Sequence, residues 1–138
     1  YFKSDYFDVV VSNPPYKQDN TGLKNDNEGK IISRHEVKCS LEDVIICASK
    51  MLKDKGSFYM VHRPERLKDI LCTLNKYKLE PKEIRFVHPS VNKKPNLILI
   101  KSVKNAKPFL NIQEPLYVYE EDGTYTQEIL KIYERIEK

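Results

Sequence analysis

At 138 residues, with 40% hydrophobic and 32% charged side chains, the chain has the make-up of one folded domain and not of a disordered or fibrous segment. Its 24 basic and 20 acidic residues leave a net charge of +4, which permits a nucleic-acid partner without demanding one. No apolar run approaches the roughly 20 residues of a membrane span and no signal peptide is visible, so no membrane partner and a cytoplasmic location are expected.

The first predicted element is a strand over Phe7–Ser12, rich in β-branched residues, that runs into Asn13-Pro14-Pro15-Tyr16. Two consecutive prolines cannot donate to a ladder or continue a helix, so the strand has to stop at Ser12. The loop that follows offers carbonyl acceptors in nearly preset directions, with an amide side chain before them and an aromatic ring after. An exocyclic amino group on a flat heterocycle needs those parts: two acceptors for its two N–H bonds and a ring face to stack on. Residues 17–33 are polar, include Gly22 and Gly29, and read as a long loop that either gates substrate or is disordered.

Ser40 and Asp43 form a capping box, and Leu41, Val44, Ile45, Ala48 and Leu52 share one helical face ahead of Gly56. A buried strand over 57–61 is expected to end at His62-Arg63-Pro64. Pro64 then starts a helix with Leu67, Ile70, Leu71, Leu74 and Tyr77 inward. After Pro81, alternation of Ile84, Phe86 and His88 predicts a third strand, and 96–103 a fourth. The linker between them is too short for a helical crossover, which predicts an antiparallel pair. Leu116 to Tyr119 reads as a short strand in which Tyr117 and Tyr119 pack instead of forming a base platform. Thr126 caps a final helix with Ile129, Ile132, Tyr133 and Ile136 inward. Cys39, Cys47 and Cys72 lack CxxC spacing and read as buried thiols; no metal is expected. The order of elements predicts an α/β fold, a doubly wound, mostly parallel sheet ending in an antiparallel strand pair.

Ligands of such sheets bind outside the carboxyl ends of the parallel strands. Three such ends, at Asn13, His62 and His88, should share one rim, which makes His62, Arg63, Arg66, His88, Lys93 and Lys94 a locally basic surface beside the proposed amine site. That is the layout of a nucleic-acid substrate, where phosphate contacts position and a flipped base is read in a pocket. The plainer alternative pairs Arg63 with Glu65 and Arg66 with Asp69 as helix-start ion pairs. Arg34-His35-Glu36 is a further candidate contact or simply a helix start.

Asn13-Pro14-Pro15-Tyr16 after an apolar strand resembles motif IV of the S-adenosylmethionine-dependent N-methyltransferases. Together with Arg34-His35-Glu36, Leu41-Glu42-Asp43, the stretch from Val61 to Leu67, Arg85-Phe86-Val87-His88-Pro89 and the stretch from Asp122 to Thr126, in that order, it is similar to the bacterial tRNA1(Val) adenine-N6 methyltransferase family over nearly the whole chain. The resemblance implies the C-terminal half of a Rossmann-like class I methyltransferase, with residues 1–110 inside the catalytic domain and 111–138 a strand-helix extension of it. It implies methyl transfer from S-adenosyl-L-methionine to adenine N6 of a tRNA near the anticodon. Asn13, Pro14 and Tyr16 are then catalytic, Asn13 also meets the cofactor, and Pro15, Arg34, His35, His62, Arg63, Arg66, His88, Lys93 and Lys94 contact substrate.

A glycine-rich cofactor loop is expected upstream, because the chain's four glycines form no GxGxG. The expectation is therefore a fragment, inactive alone, that stays bound to an N-terminal half or self-associates through Phe7–Ser12. Two other readings are protein glutamine N-methylation, in which a side-chain amide presents the same two N–H bonds, and a non-catalytic RNA-binding module.

Overall fold

A computed structural model describes residues 5–13 and 40–137. Along the chain these form β1 (Phe7–Ser12), α1 (Leu41–Met51), β2 (Leu52–His62), a 3₁₀ turn (Pro64–Arg66), α2 (Leu67–Lys76), β3 (Leu79–His88), β4 (Leu97–Lys104), the two-residue strands β5 (Asn111–Ile112) and β6 (Leu116–Tyr117), and α3 (Gln127–Glu137).

The sheet runs β1-β2-β4-β3-β5, with β6 also beside β3. β1 and β2 are parallel, β4 is antiparallel to both β2 and β3, and β5 and β6 lie parallel to β3. The expected antiparallel pairing of β3 with β4 is present. The sheet is mixed, with β4 as its single reversed strand, inserted between β2 and β3 so that it pairs with both. Two boundaries differ from expectation. β2 begins at Leu52, directly after α1, and β3 contains Pro81, which sits where the register with β4 shifts between Pro81 and Glu83. An irregularity of that kind is where a strand tolerates a residue with no N–H.

The core lies on one face of the sheet. Phe58, Met60, Ile84, Ile98 and Ile100 meet Ile45 and Ala48 of α1 and Ile70 and Leu74 of α2, all at 2% exposure or less. Both helices follow from their sequences: the Ser40–Asp43 capping box closes in both directions at 3.1 Å, and Leu67, Leu71 and Tyr77 pack on the core as their spacing predicts. Cys47 and Cys72 are exposed, against the expectation of buried thiols. Each falls off the buried stripe of its helix, the first between Ile45 and Ala48, the second between Ile70 and Leu74. Cys39 lies outside the described residues.

Gly56 is required where β1 and β2 come together out of step. Pairing jumps from Phe7↔Leu52 to Val9↔Ser57, and a Cβ at Gly56 would stand 2.9 Å from Leu52 Cδ2 and 3.1 Å from the Asp8 carbonyl oxygen. On the sheet face away from the helices, Val9 and Val11 are 52% and 70% exposed. Among the described residues α3 is held by capping and by one ion pair. Thr126 Oγ lies 3.4 Å from the Ile129 amide, and Arg85 Nη2 is 2.5 Å from Glu128 Oε2. Ile129 and Ile132 are partly buried as expected, while Tyr133 is 48% exposed and meets Tyr125 edge-on.

Candidate nucleic-acid and amine site

Strand direction decides which ends meet. Since β4 is antiparallel to both β2 and β3, the strands β1, β2 and β3 all point the same way, and their carboxyl ends open on one rim. Asn13 follows β1, His62 ends β2 and His88 ends β3, so the rim predicted from the sequence carries these three residues together with their following loops.

Asn13 is exposed at the end of β1, immediately beyond the Ser12↔Met60 pair. Pro14, Pro15, Tyr16, Arg34 and His35, and the loop over 17–33, lie outside the described residues.

His62 is on the rim but turned inward. It shares strand parity with Phe58 and Met60, is 5% exposed, and its Nδ1 accepts the Arg63 amide at 2.8 Å. Burial, followed by the nearby Arg66 charge, pushes its pKa below the usual histidine value, so it is neutral at physiological pH. It serves to close the end of β2 and is not an exposed phosphate contact, a distinction its position in the sequence did not reveal.

Arg63 and Arg66 stand in the turn that Pro64 starts. Arg63 Nε lies 3.1 Å from Glu65 and Arg66 Nε 3.2 Å from Asp69, the pairs that the plainer sequence reading named. These pairs are half-exposed, and pairs of that kind are worth about 0–1 kcal/mol, so either guanidinium can exchange its carboxylate for a phosphate at small cost. At the end of β3, His88 Nδ1 donates to the Lys93 carbonyl at 2.7 Å, which shapes the 89–96 loop. Lys93 and Lys94 are exposed there, and among the described residues neither ammonium has a partner.

The sequence reading took Tyr117 and Tyr119 as packing residues. Tyr119 is 42% exposed and stacks on Tyr125 at 5.3 Å between centroids and 14° between planes, while Tyr117 packs against the His88 ring at 5.2 Å. The separation of Tyr119 from Tyr125 by a turn containing Gly123 was the available signal. Among the described residues no group of histidine, cysteine and carboxylate side chains is arranged to hold a metal ion. No helix among the described residues is long and apolar enough to cross a membrane.

No family model matches the chain. A tRNA1(Val) (adenine(37)-N6)-methyltransferase of Porphyromonas gingivalis is 27% identical over 133 residues, covering 93% of this chain and 50% of its own. The protein of the same name from Pedobacter heparinus is 26% identical over 126 residues, covering 91% and 52%. This chain is similar to those methyltransferases over nearly its whole length. It spans about half their length. Among solved structures, a predicted O-methyltransferase of Agrobacterium tumefaciens superposes with a TM-score of 0.73 over 96% of this chain and 53% of its own, at 21% identity. A putative DNA modification methylase of Thermus thermophilus, complexed with S-adenosyl-L-methionine, gives 0.53 over 81% and 53%, at 16% identity. These likenesses establish the mixed α/β fold of methyltransferase structures, the fold class expected from the motifs.

Proposed function

We propose that this chain forms the substrate-side part of an S-adenosylmethionine-dependent N-methyltransferase acting on adenine N6 of a tRNA in the cytoplasm. The observation that carries the reading is the convergence of Asn13, the Arg63–Arg66 turn and the Lys93–Lys94 loop on one rim of the sheet, in a chain whose relatives bear the name of that activity.

The cofactor, when bound, supplies an electrophilic methyl group. Asn13 fits a place beside it, as an exposed amide at the carboxyl end of a parallel strand. Its side-chain oxygen and the Pro14 carbonyl each accept one N6–H bond, which holds the amino nitrogen and turns its lone pair, otherwise delocalised into the ring, out of the base plane. Tyr16 stacks on the base. Arg34 and His35, with Pro15, complete the substrate contacts read from the sequence. Arg63, Arg66, Lys93 and Lys94 take phosphates, which position the RNA without reading its sequence.

The outer edge of β1 also belongs to this reading. β1 closes the described sheet on one side, with Val9 and Val11 exposed, and a bare apolar strand edge recruits another strand. The remainder of a longer protein supplies that strand together with most of the cofactor contacts. The chain alone would then self-associate and bind cofactor negligibly, which light scattering and a cofactor titration check.

The test of the activity is transfer of labelled methyl groups by the intact protein to total tRNA or to release factor. Label in N6-methyladenine of tRNA is the expected result. Label confined to protein would replace this reading with glutamine methylation, and label in neither would leave a non-catalytic RNA-binding module.

A further inference from the structure

Beside the rim lies a groove that the proposed chemistry leaves unused. Its volume is about 730 Å³, and it is lined by Val91, Tyr117 and Tyr119, the three acidic residues Glu120, Glu121 and Asp122, and Thr126. The chain after β6 is tied directly to the loop that follows β3: the Val118 amide donates to the His88 carbonyl at 2.9 Å, and the Tyr119 amide to the Pro89 carbonyl at 2.8 Å. One wall therefore belongs to the loop of Lys93 and Lys94, where the Lys93 amide closes a turn onto the Ser90 carbonyl at 3.1 Å. The opposite wall is the turn after Tyr119, closed by Glu120 N to Thr124 O at 2.7 Å and Gly123 N to Glu120 O at 3.0 Å.

The lining is acidic on the side of the turn, and on the other side Val91 belongs to the loop that also carries Lys93 and Lys94 just outside the lining. Asp122 is engaged by the Thr124 hydroxyl and amide, at 2.7 and 3.0 Å, but among the described residues no hydrogen bond or ion pair engages the carboxylates of Glu120 or Glu121. Tyr125, which covers one side of the Tyr119 ring, is not part of the lining, so the groove meets Tyr119 from another side. An occupant must be flat enough to lie on an aromatic ring, present N–H donors to carboxylates and carry negative charge for the lysines. A basic peptide satisfies the carboxylates and is repelled by the lysines. A nucleotide satisfies both.

We propose that this groove takes one unpaired nucleobase bearing an exocyclic amino group, stacked on Tyr119 with its amino hydrogens on Glu120 or Glu121, while Lys93 or Lys94 holds the adjoining phosphate. The proposal rests on the nucleic-acid reading above and extends it to a second base, distinct from the one held at Asn13. Adenine, cytosine and guanine qualify. Uracil does not, because it turns carbonyl oxygens toward the carboxylates.

The test compares labelled hexacytidylate and hexauridylate by fluorescence anisotropy with the intact protein, since the two bases differ at position 4 in presenting an amino group or a carbonyl. Hexacytidylate should bind about tenfold more tightly, the discrimination expected of one good amino-to-carboxylate readout. Tyr119→Ala should abolish the preference and Tyr119→Phe retain it, while the double variant Glu120→Gln, Glu121→Gln should narrow it. Lys93→Ala should weaken both oligonucleotides alike. Equal affinity for the two oligonucleotides, or a preference that survives Tyr119→Ala, would overturn the proposal; so would displacement of hexacytidylate by hexa-arginine from that groove. If neither base is preferred but Lys93→Ala still weakens both, the groove proposal falls and the nucleic-acid reading stands. Failure to bind either hexamer or tRNA overturns both.

Discussion

The two ends of the sheet are built on opposite terms. At the end where β1, β2 and β3 begin, side chains and carbonyls from several elements are tied together. Lys104 Nζ, on a side chain 15% exposed, donates to Asp5 Oδ1 at 2.7 Å and to the carbonyls of Ser49 and Leu52 at 2.7 and 2.8 Å. The Asn105 amide donates to the Lys78 carbonyl at 2.9 Å, its side chain reaches Asp54 at 2.8 Å, and Lys55 Nζ meets its carbonyl. Asp5, Lys55, Lys78 and Asn105 all sit at positive φ, between 56° and 67°, a conformation held by this network at some cost. At the carboxyl end the loops carry half-exposed cations with weak or no partners. Hydrogen bonding is dense at the first end, while the opposite rim keeps exposed cations such as Lys93 and Lys94.

That contrast can be broken from either side. The largest expected effect is at the open rim: in the intact protein Asn13→Ala should lower turnover about 10²- to 10³-fold, the magnitude for losing one preorganised hydrogen-bonding group, with cofactor affinity within a few-fold. Steady-state kinetics and a cofactor titration check it, and parallel loss of cofactor binding would remove Asn13 from the amine site. At the closed end Lys104→Met should leave the Ser49 and Leu52 carbonyls without their charged donor and lower the unfolding free energy by about 2–3 kcal/mol, with RNA affinity unchanged. Urea unfolding and an RNA titration measure the two halves of that statement.

Smaller effects sharpen the picture. Lys93→Ala or Arg63→Ala should reduce the slope of log affinity against log salt by about one counterion each, and unchanged slopes in both would move the RNA path elsewhere. The smallest effect is on stability against pH. The Tyr77 hydroxyl at 2.6 Å, followed by Lys76 at 3.0 Å, holds Glu42 below the usual carboxylate range and joins α1 to α2. A depressed carboxylate stabilises the fold above its unfolded pKa, and that contribution disappears as pH falls through the folded value. Glu42→Gln should therefore slightly lower the neutral plateau of a thermal-stability profile and flatten its acid limb, leaving stability below the folded pKa of Glu42 little changed.

Much of this was legible in the sequence because the signals were local. The Ser40–Asp43 box, the apolar stripe of α2 and the short link between β3 and β4 each depend on a few neighbouring residues, and each is present. What the sequence concealed was long-range. The place of β4 between β2 and β3 depends on which strands meet, and no local pattern states that. The inward turn of His62 depends on the helices above it. The two exposed cysteines misled because residue type was weighed above helical phase. At the rim, the ion pairs of Arg63 and Arg66 could be read from spacing. For the stacked Tyr119 and Tyr125 the turn containing Gly123 was a weaker signal, since they meet after strand β6 has ended.

The insertion of β4 has a consequence for synthesis. β2 and β3 are both made before β4, yet they have no hydrogen-bonded contact with each other in the sheet, so β3 and the loop bearing Lys93 and Lys94 have no hydrogen-bonded place beside β2 until residues 97–104 leave the ribosome. A stop codon near residue 95 would thus remove the strand at the centre of the assembly and leave the apolar faces of both its neighbours open to aggregation. A stop after residue 110 would remove only β5, β6 and α3 from the margin. Damage from truncation should rise abruptly between these two points, instead of in proportion to the length lost.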